Sequence, residues 1–444
     1  MKILILGSCP LALELAETLL TENHEVLLLS KEEELLSRHI AHKHLSILPL
    51  NLSLSLPVSA ASIDMVFALT ESTEENLLYG SLLRKRGARS VVAQVLEVED
   101  YEHLQQESRE GVDHIFCPAV ELARSIDTYL RGDGLFLDEE FLRSHIHISV
   151  QELFEEDPLV GKTLKDLAGA FENRVVVGIL RRGHFFVPFG ATRLDEGDRL
   201  YLMGEEKTSR EEETKRRDLW ILGEGPGTFD LVLALSHLGY AMTWSRERSF
   251  SAKERRALSR VLCRQEHLRD LWTYEEGPKG VLPLCLSGDD GENLLFAALL
   301  EEAGYRERMS ILSRGEYTRV FGHVLPGIHL RWGFAGLSHL LSLLEREGDI
   351  HLSRLFGGDV EALSVRLDPA SPAAGKRLAE LGLPDPVAVG AILRQGLCLM
   401  VRGDTLLEAG DQLLILCEHE SRRRVLELLT PQGGENFWSM IWGM

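Results

Sequence analysis

The chain has 444 residues, 44% apolar and 26% charged, the balance of a globular protein able to bury several cores. Its formal net charge of −21 argues against nucleic acid and against an anionic membrane surface as direct partners, because both are held through Lys and Arg. Six cysteines (Cys9, Cys117, Cys263, Cys285, Cys398, Cys417) form no CxxC pair, so they read as small buried residues of a reducing cytoplasm.

Ile3 to Leu6 is a continuous apolar strand, Leu11 to Leu20 has apolar residues at helical spacing, and Val26 to Leu29 is a second strand run. A strand at the very start leaves no room for a signal peptide. The longest apolar stretch, Leu45 to Leu69, is interrupted by Pro49, Asn51, Pro57 and Asp64, so no segment offers the roughly 20 apolar residues of a membrane span. Met65 to Thr70, helix Glu74 to Arg86, strand Ser90 to Val95, strand Ile115 to Phe116 and helix Val120 to Leu130 continue the alternation. Apolar strands alternating with helices predict an α/β fold with a doubly wound parallel sheet. After about residue 150 the texture changes. Val175 to Leu180 and His184 to Val187 flank Arg181-Arg182-Gly183 as a hairpin, and Arg199 to Met203 follows the Glu196-Gly197-Asp198 turn, a small α+β domain. Glu205 to Arg217 has no apolar periodicity and reads as a solvated linker.

The order then starts again. Leu219 to Leu222, helix Phe229 to Leu238, strand Ala241 to Trp244, strand Val281 to Leu286 and helix Leu294 to Ala303 repeat the first unit, and a second small domain runs from Asp359 to Leu429. Ile5-Leu6-Gly7 returns as Ile221-Leu222-Gly223, Gly161-Lys162-Thr163-Leu164 as Gly375-Lys376-Arg377-Leu378, and Leu194 to Leu200 as Leu407 to Leu413, at offsets of 216, 214 and 213 residues. A composite unit of half the chain is duplicated, so sites belong in pairs and two large domains are expected to face each other.

A glycine turn between a strand and a helix can cradle a pyrophosphate, because small residues admit the ligand and the helix N-terminus offers unpaired N–H groups. The first turn reads Gly7-x-Cys9-x-x-Ala12, with a side chain where close approach needs glycine; the second reads Gly223-x-Gly225-x-x-Thr228 and keeps both leading glycines. The second half is therefore expected to be the better nucleotide site. Where an acid would accept a ribose diol at the end of the second strand, the chain has Ser30 and Ser245, followed by Lys31 and Arg246, a hydroxyl plus a cation. The plain alternative is a solvent-exposed turn. Thr70 to Asn76 matches Ser287 to Asn293, with Thr70, Ser287 and Asp289 at the carboxyl edge of the sheet; helix capping is their plain role and ligand contact an additional one. His39, His42 and His44 lack acidic or cysteine partners at ligand spacing, and no nucleophile motif or paired carboxylate marks a catalytic seat.

The Ile-Leu-Gly turn, Met65 to Thr70 with Glu74 and Asn76, Arg86-Gly87-Ala88 before Val91-Val92-Ala93, and Gly111 to Pro118 resemble the N-domain of the RCK, or KTN, family that gates potassium transport. Val160-Gly161-Lys162-x-Leu164, Arg181-x-Gly183, Pro188-x-Gly190-x-Thr192 and Glu196-Gly197-Asp198 resemble its C-domain. The resemblance divides the chain into N-type domains at 1–145 and 214–355, C-type domains at 146–213 and 356–430, and an aromatic tail at 431–444. It implies a cytoplasmic, non-enzymatic regulator that self-associates into an even-numbered homo-oligomer and docks beneath a membrane-embedded Trk-type potassium translocator. Bound NAD(H) or adenine nucleotide would change its shape. Cys9, Ser30, Ser245 and the Pro- and Ser-containing Leu45 to Ser62 depart from the family pattern, as does the stretch from Gly277 to Pro283. Two alternatives remain at this stage: a gating-ring subunit that has lost nucleotide binding, and a dehydrogenase using one half. Phe437, Trp438, Ile441 and Trp442 follow the Gly433-Gly434 break, outside both repeats, and are read as a partner anchor against an even alternative of folding back on the last small domain.

Overall fold

The computed structural model describes the chain except residues 22–23, 33–42, 51–58, 107–110, 132–145, 155, 168, 172–173, 182–183, 206–217, 269–279, 306, 314–327, 346–349, 356–359, 385–386 and 431–444. Strands β1 (Lys2–Leu6), β2 (Glu25–Ser30), β3 (Leu45–Pro49), β4 (Met65–Ala68), β5 (Ser90–Gln94) and β6 (His114–Phe116) form a sheet in the order β3-β2-β1-β4-β5-β6. Every pairing in it is parallel. Helices α1 (Pro10–Thr21), α2 (Thr73–Lys85), α3 (Val98–Gln106) and α4 (Pro118–Arg131) lie between and after the strands. The strands read as continuous apolar runs because both faces are covered: Leu4, Leu6, Val66 and Val91 enter one core, and Ile3, Ile5, Phe67 and Val92 enter the other. Local chemistry sets the helix ends. In α2 the Ser72 hydroxyl caps the Glu75 N–H, Glu74 and Glu75 sit in the first turn, and Arg84 and Lys85 sit in the last, matching the helix dipole at both ends.

The second sheet has the same order, β13-β12-β11-β14-β15-β16, from β11 (Asp218–Leu222), β12 (Met242–Arg246), β13 (Val261–Gln265), β14 (Val281–Cys285), β15 (Met309–Leu312) and β16 (Ile328–Arg331), all parallel. With it come α5 (Thr228–His237), α6 (Ala252–Ala257), α7 (Asp290–Glu302) and α8 (Trp332–Glu345). The doubly wound parallel α/β class is thus present twice.

The two units exchange their last helices. Leu337, Leu340 and Leu341 of α8 are buried with Leu11, Leu15 and Leu19 of α1 on the first sheet, where Gly336 lets the backbone approach: a Cβ there would stand 3.3 Å from Leu11 Cδ2. Leu122, Ala123 and Ile126 of α4 share a core with Leu231 and Leu235 of α5. At about 1.5–3 kcal/mol for each fully buried leucine, this seam is a major part of the fold. Polar bonds fix its register: Asp230 Oδ1 accepts the Val98 N–H at 3.0 Å, the Tyr240 hydroxyl donates to Asp127 at 2.8 Å, and Arg331 donates to Glu14.

Each unit is followed by an antiparallel sheet. One has the order β7-β10-β8-β9, from β7 (Ile146–Glu152), β8 (Arg174–Arg181), β9 (His184–Phe186) and β10 (Arg199–Glu205). The other has the order β17-β18-β21-β19-β20, from β17 (Ile350–Leu355), β18 (Val360–Arg366), β19 (Val387–Arg394), β20 (Leu397–Met400) and β21 (Gln412–Glu418), with α9 (His419–Leu429) packed on it. β8 and β9 pair antiparallel as the hairpin reading expects, although 182–183 at its tip lie outside the described residues. Several strands went unseen in the sequence, among them β7, β15, β16 and β17 and two edge strands of the parallel sheets. Leu45–Pro49 pairs with β2, and Val261–Gln265 with β12. Each has only one flank paired and a mixed burial pattern, which blurs its periodicity, and Pro49 is tolerated at an edge because no further strand needs its N–H. The linker at 206–217, His39, His42 and the tail with Phe437, Trp438, Ile441 and Trp442 lie outside the described residues.

Candidate functional site

In each sheet the strand order reverses between the first and fourth strands of the unit, so the carboxyl ends of β1 and β4, and of β11 and β14, border a crevice. At the first, Gly7 has φ +108°, and a Cβ on it would stand 2.2 Å from Leu69 O, so only glycine lets the turn pass β4. α1 follows at once. Burial pushes the Cys9 thiol above its ordinary value, against the lowering effect of the neighbouring Ala12 and Leu11 N–H groups. Cys9 thus stands as an uncharged thiol beside the N–H groups that could receive a phosphate.

Beside this turn lies a closed ring of hydrogen bonds. The Ser30 hydroxyl donates to Ser8 Oγ at 2.9 Å, Ser8 Oγ donates to Glu32 Oε1 at 2.8 Å, and the Glu32 N–H donates to Ser30 Oγ at 2.9 Å. Glu32 is exposed, and Lys31 reaches from the end of β2 to Glu75 on α2, whose hydrogen bond raises the lysine pKa. The crevice is edged by Thr70, whose N–H and hydroxyl both donate to Asn76 Oδ1, at 2.7 and 2.8 Å. Buried Asn76 then donates to Thr70 O and Gln94 O, tying β4, α2 and β5 together.

The second crevice has the same frame with different contents. Asn293 accepts the Ser287 N–H and donates to Ser287 O and Ile311 O, as Asn76 does with its counterparts. Gly223 has φ +99°. Gly225, however, faces the chain itself: a Cβ on it would stand 2.6 Å from both Cα and N of Gly288, and the Gly288 N–H donates to Glu224 O at 3.1 Å. The Gly225 N–H donates to Thr228 Oγ1 at 2.9 Å. Trp244 donates its indole N–H to Gly223 O at 2.8 Å. Arg246, 1% exposed, donates to both carboxylate oxygens of Glu254 and to the carbonyls of Arg248 and Ser249, and it lies 3.9 Å from the Phe250 ring centroid.

Several expectations need correction. Ser245 does not offer its hydroxyl to a ligand: it is fully buried and accepts the Trp220 indole N–H at 3.0 Å. Arg246 is an internal cation, and Ser30 is fully buried in its ring with Ser8. The pairing of Ser30 with Ser245 is also one residue out. Leu6 stands opposite Leu29 and Leu222 opposite Ser245, so Ser30 and Arg246 are the equivalent positions. Asp289 takes the plain role, capping α7 through the Glu292 N–H, and Ser287 bonds Asp289. Ala12 and Thr228 are buried where their helices meet the sheet. Sequence reading missed Glu32, Glu224 and Gly288. An acid two residues beyond the second strand was the available signal for Glu32; the other two could be found only by seeing the loops meet. Among the described residues no group of three or more His, Cys, Asp or Glu is placed to hold a metal.

The first crevice fits a nucleotide: small hydroxyls, an exposed carboxylate and a helix start stand around a glycine turn. The second does not, because its own side chains hold the same positions. Comparison with known proteins supplies the context for both. Residues 3–118 match the TrkA-N domain, and residues 152–211 and 362–430 match the TrkA-C domain. The chain belongs to the TrkA family. The "Trk system potassium uptake protein TrkA homolog" of Archaeoglobus fulgidus is 26% identical, covering 96% of this chain and all of its relative. The "Trk system potassium uptake protein TrkA" of Haemophilus influenzae is 25% identical, covering 97% of this chain and 99% of that protein. Among solved structures, the "GsuK channel bound to NAD" superposes with a TM-score of 0.57 at 16% identity, over 96% of this chain and 78% of that one. The GsuK RCK domain gives 0.57 at 17% identity, over 96% and 94%. These likenesses extend the TrkA pattern of paired Rossmann-like and small domains along nearly the whole chain.

Proposed function

We propose that this member of the TrkA family is the regulatory subunit of a Trk-type potassium uptake system, peripheral to the inner face of the membrane through a translocator partner, and acts by changing shape rather than by catalysis. The observation that carries the reading is the helix exchange. Because α8 rests on α1 and α4 rests on α5, a shift at the first glycine turn bears on a helix that belongs to the other unit. The names of the TrkA relatives support potassium uptake as the process. No described helix is long and apolar enough to cross a membrane, in keeping with action through a partner. Two chains in an even-numbered oligomer would supply four N-type units.

The ligand class is an adenine nucleotide or NAD(H), and its place is the first crevice. There the N–H groups of Leu11 and Ala12 would receive a phosphate once the Cys9 side chain turns away, Ser8 and Glu32 would take ribose hydroxyls, and Thr70 would border the far side. A coupling of about 1–3 kcal/mol between ligand and conformation alters a gating equilibrium roughly 5–150-fold. The test is potassium uptake by cells that carry the translocator, with and without this chain, alongside equilibrium dialysis of NAD, NADH, ATP and ADP against the purified protein. Uptake that depends on the chain, with Glu32→Gln weakening nucleotide binding about tenfold or more, is expected for loss of a charge-assisted bond. Uptake indifferent to the chain overturns the reading.

A further inference from the structure

We infer that the second Rossmann-like unit carries its own stand-in for a ligand, a Glu224–Arg246 ion pair with the Gly288 loop over it, so that each chain takes at most one nucleotide and senses it with the first unit alone. The inference deepens the nucleotide reading above and rests on it for the sensing unit; the filling of the second crevice stands on geometry by itself.

Strand register makes Ser8, Ser30 and Glu32 equivalent to Glu224, Arg246 and Arg248. Both triads close the same gap between the glycine turn and the end of the second strand. In the first unit the closure is made by two hydroxyls and an exposed carboxylate, groups small enough to leave room and easily re-bonded. In the second, Glu224 Oε2 is 3.1 Å from Arg246 Nη1 and 3.3 Å from Arg248 Nε, and the Arg246 guanidinium is packed against the Trp244 and Phe250 rings. A ligand's phosphate at this turn would have to displace the Glu224 carboxylate from a guanidinium with 2% side-chain exposure that Glu254 already neutralises, and would meet the repulsion of both carboxylates. On the other flank, Gly288 is in contact with Gly225 where a pyrophosphate would need the bare backbone, whereas the equivalent residue of the first unit, Glu71, is exposed. The second unit is therefore a fixed frame, held in one conformation by its own charges, against which the first unit moves.

Photolabelling of the full chain with an 8-azidoadenine nucleotide, followed by peptide mapping, is the test. Label confined to residues 1–118, at one equivalent or less per chain, supports the inference; label in residues 218–313, or two equivalents, overturns it. If neither half is labelled, the nucleotide reading falls, and the fill is judged by Glu224→Ala. A melting temperature lower by roughly 2–4 °C or more, with faster exchange of the Gly288 amide, supports the built-in pair. Unchanged stability and exchange overturn it.

Discussion

Arg181 grips Asp198 through two parallel bonds, Nε to Oδ1 and Nη2 to Oδ2, each 2.7 Å, and the same fork recurs 213 residues later between Arg394 and Asp411. Each aspartate is almost completely buried, and its Oδ2 also accepts the N–H three residues upstream, of Asp195 or Glu408, at 2.8 Å. One carboxylate thus fixes both the hairpin that carries the arginine and the Asp-Glu-Gly-Asp or Glu-Ala-Gly-Asp turn. The hydrogen bonds that Arg181 donates to Asp198 are the main cause that raises the Arg181 pKa. Asp198→Ala should cost the first small domain about 2–4 kcal/mol, because a partly buried guanidinium and a turn N–H lose their acceptor together. Denaturant unfolding measures it. A loss below about 0.5 kcal/mol would show the pair to be solvated like an ordinary surface bridge.

The two small domains meet at Gly390, where a Cβ would stand 2.7 Å from Met203 Sδ and 3.1 Å from Val177 Cγ1. The methionine end is flexible, so Gly390→Ala should be mild, while Gly390→Leu overpacks the contact at about 1–3 kcal/mol. Adding Met203→Ala to Gly390→Leu should recover part of that loss in a double-mutant cycle. Strict additivity would mean that Gly390 of β19 and Met203 of β10 do not press on each other.

Asp230 sits in the seam between the Rossmann-like units. Burial pushes its carboxyl above the ordinary range, against the Val98 N–H that pulls it down, and Glu97 and Glu99 push it up further. A raised folded-state pKa means that ionisation costs the folded form. The cost is absent below about pH 4 and grows as pH rises through the folded pKa. Asp230→Asn keeps an acceptor for Val98. It should melt above wild type at pH 7, with the difference shrinking as the pH falls. A difference that widens in acid would instead reveal a favourable partner for the charge.

Cys9 stands beside the first N–H groups of α1 without offering a charge. Cys9→Ala opens the space beside them, so nucleotide affinity in the first crevice should rise several-fold, read by NADH fluorescence titration. Reduced affinity would show that the thiol helps to shape the site. Gly7→Val is a poor probe, because its Cβ would collide with Leu69 O and unfold the turn rather than test the ligand.

The fold class is written into the interior strands. Interior strands such as Ile3 to Leu6 and Val281 to Leu286 carry apolar residues on both faces, a pattern that only a helix-covered parallel sheet explains. The edge strands at Leu45 and Val261 lack that constraint and were missed. The site was legible as a place but not as a state: Thr70, Asp289 and both glycine turns lie at the crevices, while the ranking of the halves by glycine count ran opposite to how the two crevices are filled.

The sequence by itself determined the doubly wound class, the duplication and the pairing of sites, because hydrophobic period and repeat offset are local quantities carried along one chain. Only the tertiary structure decided what each glycine faces and what each cation answers. Gly225 reads the same whether its bare backbone awaits a pyrophosphate or touches Gly288, and Arg246 reads the same whether it awaits a phosphate or holds Glu224 and Glu254. The difference lies in which loops converge at the end of a sheet, and convergence is set by strand order and packing across more than 60 residues, from Glu224 to Gly288, rather than by neighbours in sequence.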